Sequence, residues 1–287
     1  MRDLPIFICW LNKSNILELA LVSVLLGLFV GLVLGLTGAG GAILSVPLLG
    51  FFLHLSVAQA APIGLLAVSL SAGLGAFLGL KAKILRYKAA ILMATLGVLL
   101  SPFGIWLAHQ WPNEPLVFIF ALVLLLVARN MWVQARRELA GIPDQLGPPC
   151  QLDTTIGKLT WNLPCARALA MSGGLAGFFS GLLGVGGGFV VVPALKKFTD
   201  LPMKSIVATS LGVLTIVSFC GVIFSNIYGG MDWAIAIPFA GGSVLGLLLG
   251  RRFVKSVSGP RVQQCFSLLA LVISLTMLIK LFAILNA

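Results

Sequence analysis

The sequence predicts an all-α integral membrane protein of two inverted-topology repeats, with about eight full transmembrane helices and two short broken or re-entrant helices. Three observations carry that reading: too little charge for a water-facing surface, a series of apolar runs of bilayer length, and a second half that repeats the first in register. Hydrophobic residues make up 59% of the 287 and charged residues 9%, whereas a soluble domain carries about 25% charged residues. Mean hydropathy is +1.10. So few charges leave lipid as the solvent. The net charge of +11 does not point to nucleic acid. Its Lys and Arg fall in short clusters between apolar runs, with no basic stripe interleaved with aromatics.

Apolar runs long enough to cross a hydrocarbon core, which takes about 20 residues, cover 16–36, 60–80, 89–108, 115–133, 167–184, 205–228, 233–250 and 262–285. The first is too long for a signal-peptide core and lacks a small-residue cleavage site, so it reads as a retained helix. Residues 1–15 before it read as an N-terminal interfacial segment turning around Trp10. The stretches 42–53 and 189–198 are too short to span, and each follows a glycine cluster. They suit half-helices. Between the first repeat, 16–133, and the second, 167–287, residues 134–166 form a polar linker containing Pro143, Pro148, Pro149 and Pro164.

Sliding the chain on itself by 146 residues aligns Gly31, Gly35, Gly38, Gly40, Gly41 and Pro47 with Gly177, Gly181, Gly184, Gly186, Gly187 and Pro193. Gly75 meets Gly221 and Gly104 meets Gly250 at the same shift, without a gap. This is a tandem duplication. An extra reversal at each short segment places loops 81–88, 129–167, 196–204 and 251–261 on one face. Of the 19 basic residues only Arg2, Lys13 and Lys280 then lie opposite. The positive-inside rule makes that face, with the linker, cytoplasmic in a cell inner (plasma) membrane, and it makes the repeats inverted.

The glycine clusters are the candidate site. Non-helical backbone is tolerated at membrane depth only inside protein or beside water. Three glycines within a few residues interrupt a helix and permit positive φ. The helix that restarts afterwards presents unbonded N–H groups and the positive end of its dipole. Two such ends near the midplane would bind an anion without Lys or Arg. Gly38, Gly40 and Gly41 in the first half and Gly184, Gly186, Gly187 and Gly188 in the second are therefore expected to bind substrate, with Pro47 and Pro193 as hinges. Thr209 and Ser210 are the expected hydroxyl contacts, since they follow the second short segment. Gly31, Gly35, Gly177 and Gly181 read instead as close helix packing.

The predicted interior holds essentially no ionisable side chain; Glu18 lies at a helix end. Intramembrane carboxylates usually mark cation or proton routes, so this inventory suits a small oxyanion better. His54 and His109 fall at outer boundaries and read as interfacial histidines, Asp232 as a helix N-cap, and Pro238 as a kink. Cys9, Cys150, Cys165, Cys220 and Cys265 form no C-x-x-C and have no histidine at ligand spacing; they are expected to be buried or cytoplasmic thiols. No metal or cofactor is expected. The expected partners are a small anionic substrate and membrane lipid, with coupling ion and oligomeric state left open.

At its two glycine–proline segments the chain resembles the sulfite exporter TauE/SafE family of membrane transporters. The second half carries the pattern best: Gly181, Gly184, Gly186, Gly187, Gly188 and Pro193, then Ala208-Thr209-Ser210, then Gly229, Gly230, Met231, Asp232 and Trp233. The first half is a degraded copy, with Ala39 and Ala42 beside its glycines and Pro62-Ile63-Gly64 in place of Ala-Thr-Ser. The resemblance spans roughly 18–285. It implies export or exchange of sulfite, sulfonates or related organic anions. The leading expectation is thus a secondary transporter for a small anion, alternating access by rocking one half against the other. The alternatives are an anion channel and, further off, an intramembrane enzyme, for which no His/Asp/Cys grouping stands at membrane depth.

Overall fold

The computed structural model describes residues 4–38, 40–140, 150, 152–153, 158–159, 162–228, 231–253 and 259–285. Among them are ten helices: α1 (Leu4–Thr37), α2 (Gly40–Phe52), α3 (Val57–Lys81), α4 (Tyr87–Gln110), α5 (Asn113–Leu139), α6 (Leu163–Leu183), α7 (Gly188–Phe198), α8 (Met203–Tyr228), α9 (Trp233–Phe253) and α10 (Gly259–Leu285). Eight are long and apolar enough to cross a membrane; the exceptions are α2 and α7, with 13 and 11 residues. At 1.5 Å per residue these two reach roughly 20 and 16 Å, short of a hydrocarbon core of about 30 Å. The architecture is the all-helical membrane fold expected. The linker adds one short antiparallel ribbon, β1 (Leu152–Asp153) with β2 (Lys158–Leu159).

Local chemistry sets the ends. Ser56 caps α3 in a capping box with Gln59, and Asp232 Oδ1 accepts the Ala234 N–H at the start of α9, the N-cap role expected of it. Pro164 opens α6, where its missing N–H costs nothing. Residues 4–15, expected to turn at the interface, instead continue α1 as helix. Pro143, Pro148, Pro149, Gly229 and Gly230 lie outside the described residues.

The tightest packing joins the halves. A Cβ added to Gly27, Gly31 or Gly35 of α1 would fall 2.0, 1.9 or 2.7 Å from the carbonyl oxygens of Phe239, Ser243 and Leu247 of α9. The offset is constant, so α1 and α9 run parallel with their backbones in contact. Gly173, Gly177 and Gly181 of α6 meet Met93, Gly97 and Ser101 of α4 in the same way, at 2.4, 2.0 and 2.1 Å. The 146-residue shift carries one seam onto the other. Only hydrogen fits at such positions, so the packing role expected of Gly31, Gly35, Gly177 and Gly181 holds. α3 runs antiparallel to α8, with Gly79 against Ala208, Gly75 against Leu211 and Gly221 against Leu65. α5 runs antiparallel to α10: Gln263 donates to Gln134 at 3.1 Å and Ser274 to the Ala121 carbonyl at 2.8 Å.

Large apolar side chains such as Leu99, Met171 and Ile279 are exposed, as a lipid-facing surface requires. Inside, every buried polar side chain among the described residues belongs to Ser or Thr. Hydroxyls can satisfy themselves on their own helix: Ser23, Ser71, Ser172 and Thr215 each donate to the carbonyl four residues earlier.

Cys150 and Cys165 depart from the thiols expected. They form a disulfide with Cα atoms 5.0 Å apart. The linker brings this about by folding back: the Cys150 N–H donates to the Phe198 carbonyl at 3.1 Å, and the Cys150 carbonyl accepts from the Asp200 N–H at 3.3 Å. That lays Cys150 beside the end of α7 and within reach of Cys165 in the first turn of α6. Cys220 and Cys265 are free; the side chain of Cys9 lies outside the described residues.

Candidate functional site

Both glycine clusters break a helix and turn the chain back. Gly38 sits at φ 77°, and Gly184, Gly186 and Gly187 at 69°, 72° and 72°, the left-handed region that side chains with a Cβ rarely enter. After the first turn α2 folds back along α1, because the point where a Cβ would stand on Gly41 is 2.2 Å from the Val30 carbonyl oxygen and 2.4 Å from the Leu34 nitrogen. After the second, Gly187 lies against Ala176, with the Ala176 oxygen 2.3 Å from the same point. Val30 and Ala176 are equivalent under the 146-residue shift. The two half-helices therefore run back along the last turns of the spanning helices before them. Their starts lie near opposite ends of the antiparallel α3–α8 pair, Gly38 beside Val207 and Gly184 beside Ala61, rather than meeting as expected. α2 and α7 touch each other.

Each turn packs on the other half. Gly184 lies against Ala61 of α3, and its carbonyl oxygen is 3.3 Å from the Cβ point of Gly64, where Ser45 of α2 also converges. Gly38 lies against Val207 of α8, and the Ser210 hydroxyl donates to its carbonyl at 3.2 Å. Gly64 and Ser210 are equivalent positions, so the second half has a hydroxyl where the first has none. Gly40, Gly41, Gly184, Gly186, Gly187 and Gly188 are all buried.

The electrostatics come from the backbone. The α7 dipole points its positive end at the turn, while Lys196 and Lys197 sit in its last turn. At the far end of α2 the ammonium of Lys280 stands 5.5 Å from the Phe51 ring. Pro47 and Pro193 lie inside α2 and α7, where each removes one N–H from the helix ladder.

The two hydroxyl residues behave differently. Ser210 reaches the first glycine turn. Thr209 does not: its Oγ1 accepts the Arg86 N–H at 3.1 Å, holding the start of α4. A cavity of about 310 Å³ opens at the other end of α2, lined by Pro47, Phe51, His54, Asn113, Glu114 and Lys280 among others. Sequence reasoning did not single out this cavity or Lys280, since it forms from loops and helix ends far apart in the chain. Ser45 and Ser218, which approach Gly64 and Gly186, carried one sequence signal: under the shift their counterparts are the apolar Val191 and Ala72. Among the described residues no three His, Cys, Asp or Glu side chains gather as a metal site.

Comparison with known proteins places this chain among membrane transporters. The family described as Sulfite exporter TauE/SafE matches residues 23–277. A "Probable membrane transporter protein" of Xylella fastidiosa (strain 9a5c) is 30% identical over 260 residues, covering 87% of this chain and 91% of that relative. The "Probable membrane transporter protein YunE" of Bacillus subtilis is 26% identical, covering 80% and 86%. A further such protein of Methanocaldococcus jannaschii is 27% identical, covering 70% of each chain. No solved structure matches.

Proposed function

This chain belongs to the Sulfite exporter TauE/SafE family of membrane transporters, and from that premise we propose that it is a secondary transporter of a small anion such as sulfite, an organosulfonate or a related organic acid. One observation carries the reading: two half-helices begin at buried glycine turns in an interior whose only buried polar side chains, among the described residues, are Ser and Thr. Backbone N–H groups and helix dipoles then supply positive potential at the two turns, and they attract anions. A cation would need carboxylates that the interior does not offer. The 310 Å³ cavity at the outer end of α2 supports one approach route, with Lys280 and Glu114 both at its wall.

The transporter works by alternating access, with its halves as inverted repeats in a cell inner membrane and its linker in the cytoplasm. The parallel α1–α9 and α4–α6 seams, the antiparallel α3–α8 pair and the clustering of basic loops support that arrangement. The moving bodies are not the sequence halves. Rocking one half on the other would pull α1 from α9 and α4 from α6, where the backbones touch at glycine. Each body more reasonably keeps one seam intact, and the α3–α8 contact between them slides.

Flux of sulfite, sulfonates and carboxylates into proteoliposomes tests the reading, together with thermal stabilisation of the purified protein by the same anions. A transported anion stabilises the folded state by mass action. Absence of both flux and stabilisation for every anion removes the proposal, and currents far above carrier turnover favour a channel.

A further inference from the structure

The second glycine turn holds a hydroxyl with nothing to bond. Ser218, midway along α8, is fully buried, and its Oγ, like those of Ser101 and Ser180 on the α4–α6 seam, has no hydrogen-bond partner among the described residues. Of the three it is the one that faces a left-handed glycine. Its neighbours on α8 behave otherwise: Thr215 donates to Leu211, and Ser210 shares its one proton between the Val207 and Gly38 carbonyls. Ser218 instead faces the bare side of Gly186, where a Cβ would stand 2.7 Å from its Oγ. Gly186 is two residues ahead of α7, whose N-cap is Gly187 and which has no side-chain cap. A buried, unsatisfied hydroxyl is a cost that native structures rarely retain without a reason.

The first turn is built differently. Its equivalent of Ser218 is Ala72. There Thr37 Oγ1 accepts the Gly40 N–H at 2.7 Å, and the Phe266 ring fills the space beside Gly40. Thr37 corresponds to Leu183 in the second half, which has no hydroxyl to offer. One half-helix is thus capped by its own chain and closed by an aromatic ring, while the other is left with a free donor at its start.

Resting on the anion-transport reading, we infer that the substrate is held at the second turn alone, with the Ser218 hydroxyl and the first N–H groups of α7 as donors, and that it is a singly charged oxyanion. The charge follows from the donors. A helix terminus presents roughly half a positive charge, a hydroxyl adds none, and the nearest neighbours of Gly186 are Ser218, Val68 and Leu214. That suffices for a sulfonate, hydrogensulfite or carboxylate but leaves a dianion undercompensated. In the conformation described, Val68 stands 3.0 Å from the same point, so the anion enters when α3 draws back.

The test uses the full-length protein with methanesulfonate, hydrogensulfite, acetate and sulfate as probes, measuring melting temperature and proteoliposome flux. Ser218→Ala is expected to raise the KM for the monoanions by roughly tenfold or more, with melting temperature without anion preserved. Ser218→Cys, a similar size but a weak donor, falls between, and Thr37→Val leaves KM unchanged. Sulfate gives no stabilisation. Unchanged KM in Ser218→Ala, an equal loss in Thr37→Val, or equal stabilisation by sulfate overturns the inference while leaving anion transport standing. Wild-type protein that neither binds nor moves any of the probes overturns the transport reading itself.

Discussion

The Ser210 hydroxyl of the second half donates to the Gly38 carbonyl of the first at 3.2 Å, so one half fastens the turn of the other. Gly38 is buried where its left-handed φ of 77° ends α1, so its carbonyl has no water to turn to. Ser210→Ala leaves that carbonyl short of a partner, a loss worth about 1–3 kcal/mol. The variant is expected to melt at lower temperature whether or not anion is present. An unaltered melting curve would mean that the turn does not depend on this bond.

Thr209 serves a different joint. Its Oγ1 accepts the Arg86 N–H where α4 begins, in a loop that already holds Lys83 at φ 57°. Thr209→Val keeps the shape and removes the acceptor, at a cost of about 1 kcal/mol or more. Stability should fall while KM for the anion stays at the wild-type value; a raised KM would place Thr209 on the substrate.

The glycine seams give a paired comparison. Gly31→Ala and Gly177→Ala push a methyl to within 1.9–2.0 Å of backbone on the facing helix, and overpacking of this kind costs about 1–3 kcal/mol or more. Gly241, on α9, has nothing within 4 Å of its Cβ point. Gly241→Ala should therefore be neutral or slightly stabilising in a helix. Yield and melting temperature in detergent separate the two classes, and equal losses in all three would contradict the parallel seams.

The linker supplies a prediction about sidedness. Its disulfide should appear as a Cys150–Cys165 cross-linked peptide that disappears on reduction. The basic loops around it call for the cytoplasmic face, whereas disulfides persist mainly in oxidising compartments. Both cysteines are buried, so a cysteine placed at the exposed Lys204 reads the side: membrane-impermeant maleimide should leave Lys204→Cys unlabelled in intact cells and label it once the cells are opened. Labelling from outside would reverse the orientation.

Much of the fold was legible because lipid imposes a simple rule: apolar runs of sufficient length become helices. The ends were less so, since residues such as Tyr87 and Trp111 bound helices at positions hydropathy does not register. Glycine spacing disclosed both turns, because only glycine adopts φ near 70° freely. It could not say which way a hydroxyl would point. Thr209 and Ser210 are adjacent, yet helical rotation sends one to Arg86 and the other to Gly38. The Cys150–Cys165 pair escaped notice for a related reason: its partners meet only after the linker folds onto the end of α7.

The α1–α9 seam also bears on how the protein is made. Chains emerge from the ribosome N-terminus first, so α1 enters the membrane well before α9, its most intimate companion, and seven helices are threaded in between. Throughout that interval its glycine stripe faces lipid or borrows a provisional neighbour. A chain stopped before Trp233 would strand that stripe permanently, giving quality-control proteases a ready mark of an unfinished product.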